Sequence, residues 1–380
     1  MMTQNPILYR NESIPDLYLR LATWRDDAQL IELIKEVMPS NGMLLSFERF
    51  PSYLYAVQVQ SKRPQSIVIV HEQRPDEVLG MLLVVWKDCY IDQQLRTMCY
   101  LCDLRFSPQL RGNRAMRLIM DYFKYNHPHD TLFQSIILSD NRYACEIFHA
   151  ERPNYLTPYQ YDLIYTYNVG RVKRSLVQDK YQVVELDESW IDALQYFLAD
   201  MQVYYNFLPD YDFNEIVAKK RFWGDLKLED FYLILDAEQQ IVGVYGLWNQ
   251  KKIKQIRVVK YDLKLLVFRP IYNLYTHFRG GFKLPKTRGM FDYLLMHSPI
   301  CAPQHLDVFE RMLSHAMQQT KLRQHKVFSL TLAESDPRRS VLKHLQSNAI
   351  QAKHAFHSFF DNPIAQLDRS KISYFDLCRM

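Results

Sequence analysis

One order of elements runs twice through this chain, and any fold must accommodate both runs. Residues 18–37 and 181–201 each read as a short strand, an acidic helix start and an amphipathic helix. Residues 66–88 and 231–252 each read as strand, polar turn and long strand, with Arg74-Pro75-Asp76-Glu77 and Asp236-Ala237-Glu238-Gln239 as the turns. Residues 133–148 and 327–345 each run from a strand through a Ser-Asp turn into a helix. The offset is roughly 160 to 195 residues, long enough for a complete unit with helices on a mixed sheet. The join is expected in the polar, basic run 168–179, which divides the chain into 1–170 and 171–380. With 380 residues, 48% of them apolar and 14% aromatic, there is material for two cores.

Within the first copy, residues 100–121 (YLCDLRFSPQLRGNRAMRLIMD) carry the chemistry. Leu101, Leu104 and Phe106 sit among strand formers, Ser107-Pro108 stops the strand, and Ala115, Leu118, Ile119 and Phe123 recur at helical spacing. Gly112 just before the helix permits close backbone approach, and first-turn amides lack partners within a helix. They therefore present positive potential suited to a phosphate. Arg111, Arg114 and Arg117 add charge to the same spot. An ordinary strand, turn and helix with solvated arginines would show the same spacing.

The run resembles motif A of the GCN5-related N-acetyltransferase (GNAT) superfamily, in which a strand leads into a loop that binds the pyrophosphate of acetyl-CoA. Leu101, Asp103, Arg111 and Gly112 carry the likeness, whereas Arg114 and Met116 stand where the family has small residues. Residues 139–148 resemble the family's motif B through Asn141 and Ala144. The resemblance implies two tandem GNAT-like units, each a mixed, mostly antiparallel twisted sheet flanked by helices. It also implies acetyl-CoA or another acyl-CoA as co-substrate. Leu104 and Phe106 would lend strand backbone to the pantetheine arm, and Arg111, Gly112, Asn113, Arg114 and Ala115 would hold the pyrophosphate. Asn141 would border the cofactor. The family's base falls on Cys102 and its acidic tyrosine on Phe148. Asp103 is then the candidate base or amine-positioning group, and Tyr143 the candidate acid. Asp103 as a locally paired strand-end residue, and Tyr143 as a packing residue, remain open alternatives.

The second copy has no Arg-Gly loop. Its corresponding strand and helix, 291–321, pass through His297-Ser298-Pro299-Ile300-Cys301-Ala302-Pro303, where prolines remove donors and no glycine permits phosphate approach. It is expected to be a degenerate partner. Its distinctive feature is an insertion at about 251–289: residues 251–288 hold eleven Lys or Arg and one acid, Asp262, so this stretch carries +10 and the rest of the chain −5. Aromatic residues interleave the cations. A solvated, partly helical excursion packed by its aromatics is one reading. An acidic partner is another: an acyl carrier protein, an anionic membrane surface, or the phosphates of a cofactor lodged between the two copies. Nucleic acid ranks last, since no recognised RNA-binding motif accompanies the charge.

Other classes are excluded by what the sequence lacks. No apolar run approaches the ~20 residues that span a bilayer, and the first residues, MMTQNPILYRNE, lack the basic start and apolar core of a secretory signal. Cys99 and Cys102 form one CxxC on a strand, where odd spacing separates their faces, so no metal is expected. Six scattered cysteines fit reduced thiols and a cytoplasmic location. The expected function is an acyl-CoA-dependent N-acyltransferase, in the first instance an N-acetyltransferase, acting on a small-molecule or protein amine whose pocket is lined by loops around 41–52 and 155–167. One alternative is a catalytically inactive GNAT-like module binding CoA or a partner. A second is a tRNA-dependent aminoacyl transferase of tandem GNAT fold, although the coiled-coil arm of many such enzymes is missing.

Overall fold

The computed structural model describes residues 7–35, 37–40, 42–110, 114–141, 145, 154–172, 180–279, 281–343 and 347–379. The first half contributes β1 (Ile7–Arg10), β2 (Leu17–Leu21), α1 (Asp27–Ile34), β3 (Val37–Ser40), β4 (Met43–Glu48), α2 (Tyr53–Gln60), β5 (Arg63–His71), β6 (Arg74–Ile91), β7 (Gln94–Phe106), α3 (Arg114–Asn126), β8 (Phe133–Leu138) and β9 (Thr157–Val169). The second contributes β10 (Gln182–Glu185), α4 (Ile191–Met201), β11 (Tyr205–Asn206), β12 (Leu208–Pro209), α5 (Asn214–Val217), β13 (Phe231–Leu235), β14 (Ile241–Trp248), β15 (Gln255–Tyr261), α6 (Leu263–Arg279), β16 (Leu294–Cys301), α7 (Leu306–Leu322), β17 (Phe328–Ala333), α8 (Arg339–Lys343), β18 (Ser347–Ser358) and β19 (Ile372–Ser373).

One large sheet crosses the molecule in the order β1-β2-β5-β6-β7-β8-β18-β9-β17-β16-β14-β13-β10, with β12 paired beside β6. Its pairs are antiparallel except β7 with β8 and β16 with β17. Those two pairs are joined by α3 and α7, the crossover helices that parallel neighbours require. Long apolar strands such as β6 and β13 are buried because helices and loops cover both sheet faces. On one face α3 packs Ala115, Leu118, Ile119 and Phe123 against Leu19, Ile69, Leu82 and Val84; on the other, α1 and α2 cover Val68, Val70, Met81 and Leu83.

The centre of the sheet is woven from both halves. β18 lies between β8 and β9, and β9 lies between β18 and β17. The strand of each half thus pairs with the other half, closing edges that would otherwise be open. A smaller sheet, β15-β4-β3, joins the halves a second time, since β4 pairs with β15 of the basic insertion.

Two stretches read as pocket-lining loops are strands. Residues 43–48 form β4, and the tyrosine-rich stretch forms β9. Tyr159, Tyr161, Tyr165 and Tyr167 follow the period of two that a pleated strand imposes on aromatic residues.

Candidate active site between diverging strands

β7 pairs with β8 only at Cys99 with Phe133 and Tyr100 with Gln134. Beyond Gln134, β8 continues alongside β18, and among the described residues no strand pairs with the facing edge of residues 101–106. The two strands part here, leaving a wedge bordered by β7 backbone that has no strand partner among the described residues. The chain enters α3 at Arg114, just beyond the end of β7.

Leu104 and Phe106 turn their side chains toward the α3 core that holds Ala115, so only their backbone is offered to the wedge. The two residues that depart from the family pattern are engaged elsewhere: Arg114 pairs with Asp16, and Met116 is buried. Asn141 follows β8, its N–H donating to the Leu138 carbonyl at 2.9 Å. Arg111, Gly112, Asn113 and Tyr143 lie outside the described residues, as do Ala144 and Phe148.

Asp103 stands where β7 bulges. The register jumps from Leu83 opposite Cys102 to Met81 opposite Arg105, and Asp103 takes a left-handed φ of 53°. That conformation is strained for a residue with a side chain, and aspartate tolerates it better than most. The bulge aims the carboxylate away from α3. Its Oδ2 accepts from Arg49 Nη2 at 2.9 Å and from the Tyr53 hydroxyl at 3.1 Å. Arg49 also donates to Gln60, and all three of Arg49, Tyr53 and Gln60 are buried.

The electrostatics of this cluster follow from burial. Burial raises the Tyr53 pKa well above its ordinary value, and the Asp103 charge raises it further, so its hydroxyl keeps its proton. Burial lowers Lys254 to about 8, with Arg49 pushing the same way and Asp103 opposing. Lys87 is also lowered to about 8 by burial; its Nζ donates to the Arg379 carbonyl at 3.2 Å and sits 4.2 Å from the centre of the Tyr100 ring. Burial raises the Cys102 thiol, which therefore stays protonated. Cys99 lies on the α3 face and Cys102 on the opposite face. Among the described residues, no group of three His, Cys, Asp or Glu could hold a metal ion.

The second half repeats the geometry without the opening. β16 meets β17 only at Leu294 with Phe328 and Leu295 with Ser329, and it bulges at Ser298, whose φ is 49°. Here side chains fill the wedge. Arg338 donates to the Pro299 carbonyl at 2.8 Å and to Asp336, and the Tyr205 hydroxyl donates to the Cys301 carbonyl at 2.6 Å. Asp376 accepts from the Tyr211 hydroxyl and the Ser298 N–H, tying the last residues of the described chain to the bulge. Arg379 completes the tie by donating to His297 Nε2, the Val59 carbonyl and the Phe222 carbonyl. A cleft of about 720 Å³, open mouth included, remains between β6 and this last segment, lined in part by Trp86, Lys87, Tyr211, Phe375 and Arg379.

Sequence reasoning singled out Asp103 but missed Arg49, Tyr53 and Lys87, and it met Lys254 only as part of a charged stretch. The signal that could have found Lys87 is its place directly after the apolar run 78–86 of one strand, since a lysine there must be neutralised or paired.

No protein-family model and no curated protein matches the sequence. Solved structures do match it. The GCN5-related glucosamine N-acetyltransferase region of a fungal multi-domain GH3 β-N-acetylglucosaminidase superposes with a TM-score of 0.59 at 10% identity, covering 90% of this chain and 38% of that one. The present chain therefore spans well under half of that multi-domain protein. N-myristoyltransferase of Saccharomyces cerevisiae with bound myristoyl-CoA gives a TM-score of 0.56 at 8% identity, covering 97% of this chain and 89% of that one. The chain has the GNAT fold. At such identities the likeness is one of fold, and the activity has to be argued from the site.

Proposed function

We propose that this protein is an acyl-CoA-dependent N-acyltransferase built of two tandem GNAT-like units, 1–170 and 171–380, the first of which holds the acyl donor. The observation that carries the reading is the open wedge between β7 and β8, beginning past Tyr100 and Gln134, beside a carboxylate at a bulge. The matching bulge and plugged wedge of the second half support the tandem division. The yeast structure holds myristoyl-CoA and the fungal region is a glucosamine N-acetyltransferase, so an acyl-CoA and an amine are the fitting substrate classes.

In this mechanism the pantetheine arm lies along residues 101–106, with the pyrophosphate at the start of α3 near 111–115. A neutral amine attacks the thioester carbonyl; the N–C bond forms, the C–S bond breaks, and the thiolate leaves. Strand amides of β7 stabilise the developing oxyanion. Asp103 accepts one proton of the incoming ammonium through water and releases it to solvent, and the second proton, shed by the nitrogen once the N–C bond has formed, ends on the leaving thiolate. Arg49 holds the carboxylate in orientation.

The cluster also supports a second reading, since Arg49 and Tyr53 engage the Asp103 carboxylate as they would in a binding module that does no chemistry. Thermal unfolding with acetyl-CoA, longer acyl-CoAs and free CoA separates these possibilities from a chain with no CoA site. A ligand at 100 times its Kd should add about 2.7 kcal/mol; no shift with any of them sinks both readings. Thiol release with candidate amines then identifies an enzyme. In that assay Asp103→Asn should lower turnover about 100-fold while acyl-CoA affinity changes by less than about twofold. Undiminished turnover would remove Asp103 from the chemistry.

A further inference from the structure

Helix α6 is mounted inside out. Leu263, Leu266, Val267, Ile271, Leu274 and Phe278 follow the i, i+3, i+4 spacing of an apolar stripe, yet all face solvent, with Leu263 77% and Phe278 73% exposed. A helix of a globular protein turns such a stripe toward the core. The packed face holds Leu265, Arg269, Tyr272, Asn273 and Thr276 instead.

Hydrogen bonds fix that orientation. Asn273 exchanges two bonds with the Leu284 backbone, at 2.8 and 3.0 Å, and Arg269 Nη1 donates to the Pro285 carbonyl at 3.2 Å. Asp262 caps the first turn by accepting from the Leu265 N–H at 2.7 Å. The apolar face is thus held outward as a contiguous patch, which on soluble proteins marks an interaction site.

Charge selects what covers it. Lys260, Lys264, Lys283, Lys286 and Arg288 are exposed and make no ion pair among the described residues. A second copy would set the +10 stretch against itself. An acidic protein would meet the charge but offer no depth for six apolar side chains. We propose that α6 docks this protein on an anionic lipid surface, lying flat with its apolar stripe among the acyl chains and the lysines at the phosphates. At 17 residues the helix is about 25 Å long, and no helix among the described residues is long and apolar enough to cross a membrane. α6 leaves β15 at Tyr261, opposite Met43, whereas Arg49 follows Glu48 at the other end of the same ladder, so the docked helix is joined to the Asp103 cluster only through the length of that strand pair.

The test is sedimentation of the full chain with vesicles of phosphatidylcholine, with and without phosphatidylglycerol, alongside its oligomeric state in solution. The protein should bind the mixed vesicles at least about tenfold more tightly than the neutral ones. Leu266→Ser/Ile271→Ser/Leu274→Ser should lose about tenfold or more of that binding with an unchanged melting temperature, because these side chains are already in water. Lys264→Gln/Lys283→Gln/Lys286→Gln should abolish the preference for the anionic lipid. Absence of binding to mixed vesicles, or a serine variant that binds like the parent, overturns the proposal. A native dimer that the serine variant converts to monomer also overturns it, by assigning the stripe to a second copy.

Discussion

Lowering the pH from about 7 to about 5 should remove about 6 kcal/mol of this protein's folding stability, and buried histidines are the reason. His297, His354 and His357 are 0% exposed. Burial favours the neutral form of each ring, although the Asp376 carboxylate, 3.3 Å from His297 Nδ1, opposes it there. His297 Nε2 accepts from Arg379 Nε at 3.1 Å, His354 is bonded at both ring nitrogens by Gln134 and Ser373, and His357 Nε2 meets the Ser135 hydroxyl at 2.7 Å. Burial lowers His297 and His354 to about 3 and His357 to about 4, with the Lys87 and Arg369 charges adding to the effect at His354. In the unfolded chain the same rings titrate near 6.5. Between about pH 6.5 and about pH 4 the unfolded state therefore binds more protons, and stability falls as pH falls. Each ring contributes up to about 1.4 kcal/mol per pH unit, so three contribute about 4 kcal/mol per unit against a total of roughly 5–15. Urea unfolding at successive pH values should show this slope. A flat profile down to about pH 5 would mean that water reaches these rings in the folded state.

Two of those histidines sit on β18, the strand that the second half inserts beside β8. Nothing in the sequence announced this. An alternating pattern states which face a residue takes, but not which strand lies next to it, and the choice of neighbour is a tertiary matter. The same limit hid the Arg49–Asp103 pair, whose partners come from different elements, and the bulge at Asp103, which is visible only as a register shift against β6. What was legible is what repeats or has a local period. The run through 100–121 contributes the strand Gln94–Phe106 and the helix Arg114–Asn126 that its apolar spacing requires. The basic insertion is partly helical, as its pattern allowed. Its apolar stripe pointing outward could not be read, because the pattern of an amphipathic helix is the same whichever way it faces.

Arg338→Met should destabilise the protein by about 3–5 kcal/mol. Arg338 is 1% exposed, and its guanidinium donates to Asp336 at 3.0 and 2.6 Å and to the Pro299 carbonyl at 2.8 Å, between the rings of Tyr205 and Phe309. Removing it strands the Asp336 carboxylate at 3% exposure without a counter-charge and frees a strand carbonyl in the interior. The double variant Arg338→Met/Asp336→Leu should recover most of the loss, because a buried ion pair replaced whole by apolar groups is often neutral. Urea unfolding of the three proteins at neutral pH measures both effects. A single variant that loses less than about 1 kcal/mol would show that water enters this wedge and solvates Asp336. The outcome bears on the site as well as on stability: β16 and β17 part after two paired positions as β7 and β8 do, and Arg338, paired with Asp336, bonds the Pro299 carbonyl of β16 beside that divergence. A dry, fully paired plug at this position is what the proposed division of labour requires, with one half holding an acyl donor and the other supporting it.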